Sequence, residues 1–431
     1  MLRLALGLSL SLVAMALTGV EPAHAAPAPG ETACQTLMAS ALLPGDPTAK
    51  IDKVIWHGKS ETVQTTTGPG LTIPVEVVSH CEITGSLQHR TGLNGQAYAI
   101  RYHLRLPANW NGRFVFQGGG GSNGDLGDAL GHVRPLGPMA ISEGYAVVSQ
   151  DSGHDNATNS DPARNGQLSF GFDPQARSNY GHTSLKLVAD AAKSLIKAYY
   201  GRGPRYSYFV GCSKGGQEGM TFAQLYPQEF DGIVASAPGF SLPRAALTEA
   251  WDVQALASLV KAPSSPSFEF SRLKDAFSSN DLVLVRAAIL DACDSDDGLK
   301  DGIVGDFYHC SDGKVMTRLN ARVCKDAKGT DCLSSAQIAA LTRVIKGPVN
   351  STGRNLYTGW YWPSGIAGEE WRMWKIGSSD GRIPPLNVVL GAASLAAVFT
   401  TPPTAIVGGP QDFADYQMRF DFDRDAVGIY A

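Results

Sequence analysis

The stretch Tyr208-Phe209-Val210-Gly211-Cys212-Ser213-Lys214-Gly215-Gly216 constrains the fold more than any other part of the chain. A β-branched and aromatic strand end runs into Gly-x-Ser-x-Gly, and residues Gln217 to Tyr226 carry a helical pattern. A serine in that context sits on a sharp strand-to-helix turn that lifts its hydroxyl off a sheet, and flanking glycines relieve the crowding. An ordinary glycine-serine loop lacks the strand before and the helix after. Ser213 is therefore the expected nucleophile of an α/β enzyme.

The N-terminus points to export. Residues 1–25 combine Arg3, an apolar run from Leu4 to Leu17 and the small-residue site Ala23-His24-Ala25, which is the pattern of a signal peptide cleaved after Ala25. The run is short for a membrane anchor, and no second run of spanning length follows. The expected location is secreted or periplasmic. A formal net charge of -4 gives no reason to expect nucleic acid or an acidic membrane as partner. Nothing in the sequence sets an oligomeric state.

Seven cysteines, Cys34, Cys81, Cys212, Cys293, Cys310, Cys324 and Cys332, oxidise in such a compartment, and no Cys-x-x-Cys spacing suggests zinc. Spacing alone leaves their pairing open. An odd count leaves one cysteine without a partner in the chain.

Gly-Cys-Ser-Lys-Gly-Gly, with a cysteine directly before the nucleophile, resembles the tannase and feruloyl esterase family of α/β-hydrolases. The likeness continues upstream in Phe116-Gln117-Gly118-Gly119-Gly120-Gly121, Gln150-Asp151-Ser152-Gly153-His154 and Phe170-Gly171-Phe172-Asp173-Pro174. Downstream it includes Phe230-Asp231-Gly232-Ile233-Val234-Ala235, Cys293-Asp294 and Phe420-Asp421-Phe422-Asp423-Arg424-Asp425. The resemblance implies an α/β-hydrolase core with a large inserted lid, and an esterase acting on esters of hydroxylated aromatic acids such as ferulate or gallate. It pairs Cys34 with Cys81, Cys293 with Cys310 and Cys324 with Cys332, leaving Cys212 unpaired. In the family that cysteine bonds to one following the catalytic histidine, and the acid and histidine lie beyond the Phe-Asp-Phe-Asp-Arg-Asp segment. The chain has no His-Gly-x-x-Asp and no terminal His-Cys pattern, so it is expected to lack its C-terminal part, with the alternative that it is an inactive or weakly active fragment.

A rival stays open at this stage. His309-Cys310 follows Ser213, and an acid among Asp291 to Asp301 would complete a Ser-Asp-His order, with Cys212 bridged to Cys310. His154 lies on a loop after a strand and is a candidate lining residue. His57, His89, His103, His132 and His182 read as structural or surface groups.

The segment from Asp294 to Ile303 places four carboxylates, Asp294, Asp296, Asp297 and Asp301, within eight residues. They repel unless solvated or neutralised, and calcium suits them because it takes about six to eight oxygens in flexible geometry. The EF-hand spacing does not fit. The resemblance implies a structural Ca2+ with carboxylates from Asp294, Asp297 and Asp301 and carbonyls from Leu299 and Ile303; Asp296 points outward.

The domain reading is 1–25 signal peptide, 26–240 first part of the core, 241–415 lid with the calcium loop and disulfides, and 416–431 a segment returning toward the core. Strands are predicted near Val54 to Trp56, Tyr98 to Leu106, Arg113 to Gln117, Tyr145 to Gln150, Tyr206 to Val210 and Gly232 to Ala235, with helices at Leu185 to Tyr199 and Gln217 to Tyr226. Trp360, Tyr361, Trp362, Trp371 and Trp374 crowd the lid, some as core and others fit to face an aromatic acyl group. Ester hydrolysis then proceeds by attack of Ser213. The oxyanion is held by the backbone N–H of Lys214 and by the glycine run, with Gly119 and Gly120 as candidates, each donor contributing about 3 kcal/mol. The Lys214 side chain is expected to be exposed. Without Gly-Lys-Ser/Thr after it, the glycine run is not a phosphate loop.

Overall fold

The computed structural model describes residues 30–40, 46–67, 71–133, 137–261 and 268–430. The signal-peptide reading over residues 1–25 lies outside them. Among the described residues, strands form a seven-stranded sheet in the order β1-β4-β5-β7-β6-β8-β9 and a two-stranded ribbon, β2-β3. The strands are β1 Lys50–His57, β2 Glu61–Thr67, β3 Leu71–Val77, β4 His80–Thr91, β5 Ala97–Pro107, β6 Arg113–Gln117, β7 Ala146–Gln150, β8 Tyr206–Cys212 and β9 Gly232–Ser236.

Pairing is antiparallel from β1 through β4 and β5 to β7, and parallel through β7, β6, β8 and β9. In the parallel part the strands are short and apolar, and β7 is buried throughout its length. Helix Ser184–Tyr200 covers the sheet because Leu185, Val188, Ala192, Leu195, Ile196 and Tyr199 recur at helical spacing and are all buried. Gly201, at φ 72°, ends it in the left-handed conformation. These side chains meet Leu104, Phe116, Phe209 and Phe222 in the core of the first block.

Every strand read from the sequence is present; β4 and the β2-β3 ribbon were not anticipated. β4 pairs with both β1 and β5, and its Cys81, Ile83 and Leu87 are fully buried. The second block is helical, around a core in which Val253, Leu256, Leu282, Val285, Leu341 and Trp362 meet.

One domain boundary needs correction. Position 415 falls inside helix Pro410–Arg419, whose Ala414 belongs to the second block's core. The residues that follow do not turn back to the sheet. Phe420 and Ala426 pack on Ala246, Leu247 and Ala250 of helix Leu242–Ala257, because their apolar side chains find that face uncovered.

The two blocks are keyed together at Asn165 and Gly171, where the second block's backbone meets them. Asn165, 2% exposed, donates its N–H to the Ile406 carbonyl at 3.1 Å and accepts from the Ile406 N–H at 3.0 Å. A Cβ on Gly171 would stand 2.3 Å from the Ala397 carbonyl oxygen.

Candidate active site

β8 ends at Cys212, and Ser213 follows with φ 59° and ψ −116°, before helix Lys214–Leu225 begins. Such backbone costs about 1–3 kcal/mol for a non-glycine residue and persists only where its surroundings impose it. Here they do. The Ser213 N–H donates to the Ser236 carbonyl at 3.1 Å, and its carbonyl accepts from Gln217 and Gly239, each at 3.0 Å. A Cβ at Gly211 would lie 2.4 Å from the Gly215 carbonyl oxygen, and one at Gly215 would lie 2.7 Å from that of Gly119. The glycines of the motif are thus demanded by backbone crossing backbone, and the serine is left exposed at the carboxyl end of the sheet. A cavity of about 720 Å³ opens beside it, lined by Gly118, Gly119, Gly120, Asp128, His132 and Cys212.

The two glycines assigned to the oxyanion differ. The Gly119 N–H already donates to a Glu218 carboxylate oxygen at 2.9 Å. That commitment removes it as a substrate donor. Gly120 makes no such bond among the described residues, and open space surrounds its Cα. Lys214 starts the helix, where a first-turn N–H has no partner within the helix.

The Lys214 side chain is not exposed, contrary to the sequence reading. It is 2% exposed, folded inward over the Tyr180 ring at 4.3 Å, donating to the Tyr180 carbonyl at 3.0 Å and to Gln217 at 2.7 Å. Burial holds its pKa below the usual lysine range. Glu218, fully buried one turn on, lies 3.6 Å from the ammonium. A helix period carries residues 214 and 218 to the same inward face.

Among the described residues no histidine hydrogen-bonds the Ser213 hydroxyl. The side chain of His309 is 77% exposed and bound to Asp306 at 2.7 Å. Cys310 is joined to Cys293, so the alternative bridge to Cys212 is not formed. The other described disulfides are Cys34–Cys81 and Cys324–Cys332, and Cys212 is a free, exposed thiol. His132 lines the cavity instead of serving only the surface. Its Nε2 meets Asp128 at 2.8 Å. Burial pushes the Asp128 carboxyl up, but hydrogen bonds from His132, Thr65 and Gln117 outweigh it and hold the group below its usual range. Asp128 and His132 lie in an irregular loop, so no periodicity in the sequence pointed to their pairing.

His154 does not line the site. It is 1% exposed, stacked on Phe170 at 3.8 Å, and neither ring nitrogen makes a well-formed hydrogen bond, only a looser approach to the Ser122 backbone. Burial and then the Lys214 charge push its pKa down to about 3. The unfolded chain, with an ordinary histidine near 6.5, therefore takes up this proton first as pH falls. Stability from the neutral ring is complete above pH ~6.5 and lost progressively below it, by about 3 kcal/mol at pH 4. His154→Phe is expected to shrink the loss of unfolding free energy between pH 7.5 and pH 4 by that amount, measured by urea denaturation at both pH values.

In the aspartate loop, Gly298 and Gly302 take left-handed backbone at φ 90° and 84°. Asp294 accepts from the Gly302 N–H, Asp297 from those of Leu299 and Gly305, and Asp301 from that of Ile303. Asp291, Asp296 and Asp306 have cationic or histidine partners in Arg322, Lys314 and His309. Among the described residues, Asp294, Asp297 and Asp301 form no such pair. Three unneutralised carboxylates beside free carbonyls make a hard-oxygen donor set that fits calcium chemistry. They are not drawn together to ligand spacing; among the described residues only His57, Glu61 and His80 are. There the Arg105 guanidinium sits 2.7 Å from His80 Nε2 and opposes a cation.

Known proteins place this geometry. The family described as tannase and feruloyl esterase matches residues 81–398. Mono(2-hydroxyethyl) terephthalate hydrolase of Piscinibacter sakaiensis is 38% identical over 399 residues, 88% of this chain and 65% of that protein. A probable feruloyl esterase of Arthroderma benhamiae is 30% identical over 67% of this chain and 49% of its own length. The chain thus spans about two thirds or less of the curated relatives it matches. Feruloyl esterase B of Aspergillus oryzae shares the fold, with a TM-score of 0.65 at 22% identity over 92% of this chain and 70% of that one. With its Gly-Cys-Ser-Lys-Gly-Gly elbow on the parallel part of a mixed sheet, the chain belongs to the tannase and feruloyl esterase family of α/β-hydrolases.

Proposed function

We propose that the chain is a secreted serine hydrolase of carboxylic esters, cleaving esters of aromatic acids of the ferulate, gallate or terephthalate type through an acyl-serine intermediate. The observation that carries it is Ser213, exposed on imposed positive-φ backbone with Lys214 and Gly120 as amide donors beside it. Ser213 attacks the ester carbonyl carbon, the alcohol leaves with a proton, and water releases the acid. Relatives named for aromatic ester substrates support the acyl class. Buried disulfides support an oxidising compartment. Among the described residues no helix is long and apolar enough to cross a membrane.

The test is a panel of methyl ferulate, methyl gallate, a terephthalate monoester and aliphatic esters of similar size. Aromatic esters are expected to be favoured at least tenfold in kcat/KM, with acid and alcohol released in equal amounts. Equal rates on the aliphatic set would overturn the aromatic assignment. A second reading, a weakly active binder of such esters, draws on the lack of a histidine bonded to Ser213 among the described residues.

Calcium is proposed at Asp294, Asp297 and Asp301, with the Leu299 and Ile303 carbonyls. An ion held only by the folded state stabilises it by mass action, by about 2.7 kcal/mol at one hundred times its Kd. Chelation is expected to lower the melting temperature, and Asp297→Ala to remove that sensitivity. A melting curve unmoved by chelator leaves the loop as a solvated turn.

A further inference from the structure

Glu218 is the fifth residue after Ser213, a charged side chain on a helix that sequence patterning would place at the surface. It is fully buried. One carboxylate oxygen accepts the Gly119 N–H at 2.9 Å, and the other accepts Asn123 Nδ2 at 2.6 Å. Around the latter stand the Ser152 hydroxyl at 3.4 Å and the Lys214 ammonium at 3.6 Å. Asn123, 5% exposed and held at φ 56°, also bonds Ser152, and its side chain fills the space where a Gly119 Cβ would stand.

These contacts join the two halves of the oxyanion site. The Gly119 N–H lies in the peptide plane just before that of the Gly120 N–H, so its bond anchors the loop one Cα upstream of the donor. The Gly119 carbonyl, in the donor's own plane, packs against Gly215. Lys214 supplies the other amide donor from its backbone, while its side chain balances the Glu218 charge. The balance matters chemically. A lone buried carboxylate behind the glycine loop would repel the oxyanion, and a lone buried ammonium would be costly to desolvate.

We propose that Glu218, paired with Lys214, is the positioning residue of the oxyanion site. It holds the glycine loop through Gly119, so that the Gly120 and Lys214 amides stand ready for the developing charge. This rests on the reading of Ser213 as the acylated nucleophile. A preorganised donor contributes about 10²–10³-fold to turnover, and a loop that must reorganise forfeits much of it.

The test compares the wild-type chain with Glu218→Ala, Glu218→Gln and the charge-free pair Lys214→Met/Glu218→Gln. The first readout is amide hydrogen exchange of residues 118–123, taken where each protein is folded. Glu218→Ala is expected to speed exchange there at least tenfold while the β4 and β5 amides keep their protection, and the glutamine variants to recover part of it. The second readout is steady-state turnover of the best aromatic ester. Glu218→Ala is expected to lower kcat about a hundredfold with KM within threefold, and Glu218→Gln to restore part of the loss. If Glu218→Ala folds with unchanged loop exchange, or Glu218→Gln unfolds while the charge-free pair exchanges like wild type, the positioning role is overturned. Turnover that does not depend on Ser213 overturns the nucleophile reading instead, and the exchange result still decides the role of Glu218.

Discussion

Ser213→Ala is expected to lower aromatic ester turnover about 10⁶-fold wherever a base serves the serine, down to the residual rate that the oxyanion donors and binding supply. The nucleophile is the one group whose loss no neighbour can replace, and what survives in such variants comes from the oxyanion donors and binding alone. Before substitution, the rate depends on a base. Among the described residues no histidine hydrogen-bonds Ser213, so slow hydrolysis is the expected starting point, within about 10³–10⁴-fold of the uncatalysed reaction. Extending the chain with a C-terminal segment bearing the Asp and His-Cys motifs of the family is expected to raise kcat by about 10³-fold or more. The same segment offers Cys212, exposed beside Ser213, a partner thiol. Both chains are assayed with and without Ser213→Ala. Fast, Ser213-dependent turnover by the unextended chain would place the base within its own residues, and His132, which lines the cavity, would be the next to substitute.

Lys375→Ala is expected to destabilise the second block by about 3–5 kcal/mol, because it strands a buried carboxylate. Asp252 is fully buried on helix Leu242–Ala257, and the Lys375 ammonium bonds one of its oxygens. The other oxygen has no hydrogen-bond partner, and Asn387 approaches the first at only 3.5 Å. Burial pushes the Asp252 pKa up, and Lys375 opposes that rise. Without the lysine the acid takes a proton more readily in the folded state. The penalty is therefore expected to grow as pH rises from about 5 to 8, since each unit separating two pKa values is worth about 1.4 kcal/mol. Urea denaturation at both pH values measures it. Asp252→Asn in the Lys375→Ala background is expected to reduce the pH dependence to the part that buried Glu249 contributes, its carboxyl being pushed up to about 8 by burial; a penalty equal at both would show that packing over Trp360, not charge, explains the loss.

What the sequence disclosed follows from how much each feature depends on neighbours in the chain. The elbow was legible because its demands are local: a strand, a serine in strained backbone, and glycines where no Cβ fits. β7 and β8 were legible through their apolar runs. β4 escaped because Gly85 and Ser86 break the alternation of Cys81, Ile83 and Leu87, and Gln88 to Arg90 read as a polar turn. The β2-β3 ribbon is threonine-rich and interrupted by Pro74, which obscured the short alternation of Ile73, Val75 and Val77 that packs in a small core with Val115 and Val147. Lys214 and Glu218 were misread or missed for one reason: their burial depends on partners about 30 to 100 residues away, at Tyr180 and Gly119. Neither shows in the periodicity of their own helix. The closing segment was assigned to the sheet on the strength of resemblance, whereas Phe420 and Ala426 pack on the second block.

The joint between the blocks bears on how substrate enters. Asn165 is laced to Ile406 through both its backbone and its side chain, and Gly171 touches the backbone at Ala397. A cap that swings open at an oil-water boundary needs a hinge with weak contacts, and this second block is tied to the first at Asn165 and Gly171. With the proposed activity, such a joint suits the chain to monomeric esters that diffuse into a standing pocket. Its rate should rise smoothly with dissolved ester and show no jump where a substrate begins to form micelles or droplets, which separates it in behaviour from lipases that wake at interfaces.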